Sequence, residues 1–210
     1  MSRNPNQDHN INALHELRIE AVLSIIRAGG AESVLDLGCG SGILLKYLAS
    51  EGQIKKIVGI DTCTASLAQA RELLSAELAE PNKRVQIAHG SFLKFDETLA
   101  SFDAAVMLET IEHILPQDLS RLESVLFLSY RPKLVVITTP NCEYNKVYGM
   151  NSDQLRRSDH CFEWSREKFK LWSDGVGKRA GYSAKVKGIG SPHTNYGPPT
   201  QLAEFRRLAP

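Results

Sequence analysis

Val34-Leu-Asp36-Leu-Gly38-Cys-Gly40-Ser-Gly42 is the stretch on which the fold turns. A short apolar run carries an acidic residue, then glycines at every second position, and a helical stretch opens at Gly42. Glycine lacks a Cβ and accepts positive φ, so a strand-to-helix turn of this composition lets a ligand come close to the backbone. The position fits a nucleotide-like cofactor. Ile43 stands where a dinucleotide fingerprint would place its third glycine, which disfavours NAD and FAD, and no Lys-Ser/Thr pair follows to make a phosphate loop.

The segments on either side extend the same pattern. Upstream, Ile11, Leu14, Leu17, Ile19, Val22, Leu23, Ile25 and Ile26 recur at helical spacing and Gly29-Gly30 supply a stop, so a first helix ends at about Ala28. Downstream, β-type runs over Lys56 to Ile60, Arg84 to Ala88, Phe102 to Leu108 and Lys133 to Thr139 alternate with helical stretches such as Ala65 to Leu78. Alternation of this kind predicts right-handed crossovers and an α/β, mostly parallel sheet with helices on both faces. The last third differs: a loop-rich stretch from Pro140 to Glu163, a helix from Ser165 to about Lys178, and two closing strands, Tyr182 to Ile189 and Gln201 to Arg206.

Composition bounds the alternatives. With 210 residues, 42% hydrophobic and 23% charged, the chain can bury one substantial core. No run approaches a membrane span and the polar start lacks a secretory core, so the expectation is a cytoplasmic protein with no membrane partner. Cys39, Cys63, Cys142 and Cys161 form no CxxC pair and are expected to be reduced and mostly buried. Net charge is only +1, yet residues 131–210 carry 14 basic against 7 acidic groups while residues 1–130 carry 11 against 17. Such asymmetry fits a polyanion-facing surface as well as an ordinary solvated one.

Asp61 ends the second expected strand about 20 residues past the glycines, where a carboxylate can accept both ribose hydroxyls, or else cap the next helix. His89-Gly90-Ser91-Phe92 follows the third strand; Ser91 can hydrogen-bond a base and Phe92 can pack on it, or the segment is a plain strand exit. The loop resembles the first motif of class I S-adenosylmethionine methyltransferases. That resemblance implies that Asp36, Gly38, Gly40 and Gly42 hold the methionine moiety and that Asp61, Ser91 and Phe92 hold the nucleoside.

Glu109-Thr-Ile-Glu112-His113 follows the fourth strand, and its i, i+3, i+4 spacing puts all three side chains on one side of a helical turn. Alone, that spacing fits a solvated helix start as well as a ligand set. A second segment, Ser158-Asp159-His160-Cys-Phe162-Glu-Trp164, sets a histidine beside an aspartate and aromatics. Together with Thr138-Thr-Pro140-Asn141-Cys-Glu-Tyr144-Asn145 and Pro198-Pro-Thr200-Gln201, these stretches resemble the HEN-type small-RNA 2′-O-methyltransferases, from about Leu14 to Arg207.

The resemblance implies a single Rossmann-like domain with a seven-stranded, mostly parallel sheet and an antiparallel terminal strand. It implies a disordered start over residues 1–10 and a methyltransferase domain over 11–210, of which 11–130 mainly bind cofactor and 131–210 complete the metal and RNA site. It implies S-adenosylmethionine and one divalent ion, Mg²⁺ or Mn²⁺, held by Glu109, Glu112, His113 and His160. Glu112, His113 and His160 are then the catalytic set, with one imidazole, His113 in preference, accepting the proton of the 2′-hydroxyl. The substrate implied is the 3′ end of a small RNA with a free 2′,3′-diol, either single-stranded on an Argonaute-type protein or a free duplex. A monomer of the compact type found in animals and some other eukaryotes is expected. Trp164, Phe162 and Tyr144 can stack on bases and Arg156, Arg157, Arg166 and Lys168 can reach phosphates, ordinary packing being the alternative. Two rivals remain open at this point: a metal-independent small-molecule or protein methyltransferase, and a catalytically silent RNA-binding module.

Overall fold

The computed structural model describes residues 5–151 and 153–209, and in it the expected alternation becomes a seven-stranded sheet. Helix α1 (Pro5–Gly29) precedes β1 (Ser33–Leu37), α2 (Ile43–Ser50), β2 (Lys56–Asp61), α3 (Thr64–Leu73), α4 (Ser75–Leu78) and β3 (Val85–His89). There follow β4 (Ala104–Leu108), α5 (Leu119–Glu123), β5 (Leu134–Pro140), α6 (Arg166–Ala180), β6 (Tyr182–Ile189) and β7 (Thr200–Arg207). Across the sheet the order is β3-β2-β1-β4-β5-β7-β6. β1 to β5 are parallel, and β7 runs antiparallel between β5 and β6.

Strand order reverses between β1 and β4, and open α/β sheets leave a crevice at that point, beyond the carboxyl ends of the strands. The glycine loop leaves β1 there and the Glu-x-x-Glu-His segment leaves β4. Both lie where topology alone predicts a ligand.

Alternation along each central strand supplies two cores. Leu35, Ala105, Met107, Val135 and Ile137 face one side with Phe127, Phe169 and Phe205, while Val34, Ala104, Val106 and Val136 face the other with Ile19, Val22, Leu23 and Ile26 of α1. Each of these side chains larger than alanine contributes roughly 1.5–3 kcal/mol on burial. The two faces thereby hold the switch point rigid from both sides.

Three expectations need correction. The first helix starts earlier than Ile11: residues 1–4 fall outside the described residues, and α1 begins at Pro5, a residue whose fixed φ suits a first helical turn. The single helix expected over Ala65 to Leu78 is two, hinged at Leu74, whose side chain lies under the glycine loop beside Gly42. Between His113 and Lys133 the spacing assigned no helix, yet α5 continues into a π-helical stretch, Ser124–Tyr130, that buries Val125, Leu126 and Phe127. There the near-continuous apolar run Val125-Leu-Phe-Leu masks the helical period.

Candidate active site

The loop after β1 is built from backbone. Gly38 has φ 82°, and a Cβ on it would come within 2.4 Å of the Thr110 side chain. Gly40 has φ 53° and a Cβ there would meet nothing within 4 Å, which leaves an opening over the loop. The Gly38 and Cys39 N–H groups both donate to the Ile60 carbonyl, at 2.8 and 3.0 Å, tying the loop to β2. The contact between Gly38 and Thr110 also places the loop directly beside the segment leaving β4.

Charge in the loop is unsatisfied. Asp36 is buried, its Oδ2 has no partner, and burial, reinforced by Asp61, pushes its carboxyl up to about 7. Asp61 is half-buried; its Oδ2 accepts from the Gly40 N–H at 2.9 Å and its Oδ1 from the Cys63 N–H at 2.8 Å. Each oxygen keeps a lone pair for a ribose hydroxyl. An orphaned buried carboxylate beneath an open glycine loop is the environment a cationic, amino-acid-bearing nucleoside such as S-adenosylmethionine requires, so the residues fit that cofactor.

Next to Asp61, a cleft of about 450 Å³ is lined by Ile60, Gly90, Ser91, Lys94, Phe95, Asp96, Glu97 and Leu99. Ser91 faces this cleft as expected of a base-contacting residue, although its Oγ also accepts from the Leu93 N–H at 3.3 Å. Phe92 departs from expectation. It packs partly buried against the core, and the aromatic that lines the cleft is Phe95.

Beyond the loop, Glu112, His113 and His160 each present a ligand atom, all within 4.8 Å of one another. Ile111–His113 form a single 3₁₀ turn, which aims Glu112 inward and leaves His113 partly exposed. Glu112 is 0% exposed. Its Oε2 accepts from the Thr139 hydroxyl at 3.0 Å, while its Oε1 has no partner. Burial, then the charge of Glu109, holds its carboxyl well above the ordinary range. A buried carboxylate with a free oxygen beside two imidazoles is costly unless a cation completes it. The donor set of one oxygen and two nitrogens fits a divalent transition-series ion.

Both imidazoles are oriented from behind. His160 Nδ1 lies 2.6 Å from Glu163 Oε1, so its proton sits on that nitrogen and Nε2 is left with the lone pair. Glu163 also accepts from Asn145 Nδ2 at 2.7 Å and from the Arg156 N–H at 2.7 Å. Burial alone would raise the Glu163 carboxyl, but these three donors hold it below its ordinary value. His113 Nδ1 lies 3.0 Å from the Asp159 carbonyl, which leaves Nε2 as the nitrogen available to a ligand. The two segments are stitched by backbone, since the Cys161 N–H donates to the Glu112 carbonyl at 2.7 Å. Glu163, Thr139 and Asp159 lie within the sequence motifs, which by themselves assign them no role. The signal for Glu163 was its i+3 spacing from His160.

Several sequence-derived placements differ. Glu109 is not on the helical turn: it precedes it, at φ 52°, and stands outside the cluster with its Oε2 2.8 Å from Arg18 Nη2. The turn is too short to include it. Arg156 is not free for phosphates, because its guanidinium donates to Asn145 Oδ1 and to the carbonyls of Pro199 and Asn141. Trp164 is buried and stacked on Phe162 at 4.5 Å, so it serves packing. Arg157 and Arg166 are exposed but paired with Asp159 and Glu143. Of the cysteines only Cys39 is buried; Cys63 and Cys161 are exposed.

A sheet in this order with this loop at its switch point defines a class I methyltransferase fold. A family profile described as a methyltransferase domain matches residues 34–130. The solved methyltransferase domain of bacterial CtHen1 superposes with a TM-score of 0.84 at 35% identity, covering 93% of this chain and 100% of that one. The chain belongs to the HEN-type methyltransferase family. A small RNA 2′-O-methyltransferase of Rattus norvegicus is 35% identical over 92% of this chain and one of Arabidopsis thaliana 33% over 93%. The chain spans 51% of the rat relative's own length and 23% of the plant one's, so the likeness concerns part of each of those proteins. Among the described residues no helix is long and apolar enough to cross a membrane.

Proposed function

We propose that this chain transfers a methyl group from S-adenosylmethionine to the 2′-hydroxyl of the 3′-terminal nucleotide of a small RNA, through one divalent ion held by Glu112, His113 and His160 with Glu109 as fourth ligand. One observation carries the reading: the buried, unpartnered Glu112 oxygen facing two pre-oriented imidazoles, beside the loop that suits the methyl donor. The names of relatives 33–35% identical to this chain suggest the substrate class.

A bound divalent cation supplies a lowered hydroxyl pKa and a fixed position for vicinal hydroxyls. The protein's own part is the rest. Glu112 and the two imidazoles set the geometry, Glu163 and the Asp159 carbonyl keep each Nε2 lone pair forward, and Thr139 holds one Glu112 oxygen back. His113, partly exposed at the rim, could take the 2′-hydroxyl proton only while its Nε2 is not holding the ion, because its Nδ1 faces the Asp159 carbonyl. Asp36 faces the cationic methionine moiety and Asp61 the ribose; Gly38, Gly40 and Gly42 give the backbone its close approach. Ser91 contacts the base, with Phe95 as the aromatic neighbour in place of Phe92. Only the terminal nucleotide offers two adjacent hydroxyls, so a free 3′ end would be selected by chemistry, with no base sequence read. A protein that presents the RNA, of the Argonaute type, is consistent with a site that holds one nucleotide.

His160→Ala tests the reading. Methyl transfer to RNA should disappear while S-adenosylmethionine binding by calorimetry stays within about twofold, because the two sites use different residues. Full activity in this variant, or in the presence of EDTA, would remove the metal from the account.

A further inference from the structure

Glu109 belongs to the Glu-x-x-Glu-His motif, yet it stands apart from the cluster that motif forms. Its Oε2 is paired with Arg18 Nη2 at 2.8 Å, its Oε1 is buried without a partner, and its backbone is in the left-handed region at φ 52°. Arg18, on α1, is anchored independently: its Nε donates to the Thr200 hydroxyl at 2.9 Å, where β7 begins opposite Pro140 of β5. Arg18 is 12% and Glu109 17% exposed in their side chains, so the pair is largely screened from water. One end of the pair is thus fixed twice. The other is a carboxylate with an empty acceptor.

We propose that Glu109 is a two-position carboxylate and that Arg18 is its latch. This rests on the metal-centre reading above. The guanidinium and an ion compete for Glu109: paired with Arg18 it stands outside the group of Glu112, His113 and His160, and on giving up Arg18 it would join them at the ion. Three features support exchange over a permanent pair. Glu109 keeps an unused, buried oxygen, which a resident partner of Arg18 alone would not need. Its neighbour Glu112 likewise lacks a partner for one oxygen, and the Glu109 charge acts on it, so two incompletely satisfied carboxylates lie close enough to repel. Arg18 keeps its Thr200 contact after Glu109 leaves, so release strands only part of the guanidinium. Arg18 is therefore a positioning residue that sets ion affinity from helix α1, outside the motif.

Truncating the latch should strengthen ion binding. In Arg18→Met, Glu109 is left as an uncompensated, screened carboxylate next to Glu112, and the free energy spent breaking a charge-assisted pair no longer opposes the ion. The expected effect is Mn²⁺ binding about tenfold tighter. Removing a positive charge also favours any nearby cation, so a double-mutant cycle separates the two causes.

Mn²⁺ titration followed by electron paramagnetic resonance of the free ion reads this without turnover. Wild type, Arg18→Met, Glu109→Gln and the double variant are compared. The proposal expects tighter binding in Arg18→Met, weaker binding in Glu109→Gln, and a change of less than about twofold on adding Arg18→Met to Glu109→Gln. Arg18→Lys keeps the charge and the stem but loses the fork, and should shift affinity in the same direction by about threefold, which covers the case of an unfolded methionine variant. Unchanged or weaker binding in both Arg18 variants, with wild type binding normally, overturns the latch and leaves the metal centre standing. An equal tightening in the Glu109→Gln background also overturns it. Absence of binding by wild type at millimolar Mn²⁺ overturns the metal reading and the latch with it.

Discussion

The cofactor loop and the metal cluster touch at Gly38 and Thr110, yet they are made of different material. Residues 36–42 hold their ligand with backbone amides and empty space, shaped by positive φ at glycines. The cluster would hold an ion with side chains from two segments, joined by the bond from the Cys161 N–H to the Glu112 carbonyl. A backbone site depends on local conformation; a side-chain site depends on tertiary alignment and on what stands behind each ligand. The two regions should therefore fail in different ways when changed.

The largest effect should come from the cluster. Glu112→Ala or His160→Ala removes a ligand outright, and single-turnover methyl transfer should fall on the order of 10³-fold with the thermal midpoint nearly unchanged or raised for Glu112, whose burial is costly. In the loop, the same size of change in chemistry becomes a change in stability. Gly38→Ala forces a Cβ against Thr110 at positive φ and should cost about 3 kcal/mol by urea denaturation. Gly40→Ala, with open space around it, should cost about 1 kcal/mol and lose cofactor affinity instead. If both glycine variants lost equal stability and kept cofactor binding, the loop would not be the backbone cradle described.

A smaller effect separates ligand from support. Glu163→Gln leaves His160 in place but no longer fixes its tautomer, and Mn²⁺ affinity should drop about 10- to 100-fold without loss of S-adenosylmethionine binding. The smallest comes from pH. Asp36, raised to about 7, is charged only above that pH, so affinity for the cationic cofactor should be level above pH 8 and fall by up to about tenfold per unit below pH 7. The sign for stability is opposite: a carboxyl raised in the folded chain makes the cofactor-free protein gain stability as pH falls from 7 toward 4. Asp36→Asn should flatten both profiles, as followed by calorimetry and thermal melts.

The same contrast explains what could be read in the sequence. The loop was legible in full, because strand, acid and glycines are contiguous and their conformation is local. So was the sheet, through the alternation of apolar runs. For the cluster, the sequence held Glu112, His113 and His160, and the structure brings those three together. It misplaced Glu109, since helical spacing assumes a full turn and the chain makes only Ile111–His113 helical. For Arg156 and Trp164 it left RNA contact and ordinary packing both open, because a guanidinium or indole in a loop-rich stretch looks free until the fold surrounds it, and the structure shows both engaged within the protein. Arg18 and Thr200 were invisible for the converse reason: they lie 91 residues before and after Glu109, and only the packing of α1 against the sheet unites them.

The central claim is that one ion both recognises the RNA end and activates its hydroxyl. Two RNAs of identical sequence, one ending in a 2′,3′-diol and the other in a 3′-deoxy nucleotide with its 2′-hydroxyl intact, are incubated with the protein and methyl-labelled S-adenosylmethionine after chelation and Mn²⁺ add-back. The account predicts labelling of the diol end only when the ion is present, and labelling of the 3′-deoxy end slower by about 100-fold or more. Equal rates at the two ends, or undiminished labelling in EDTA, would contradict it.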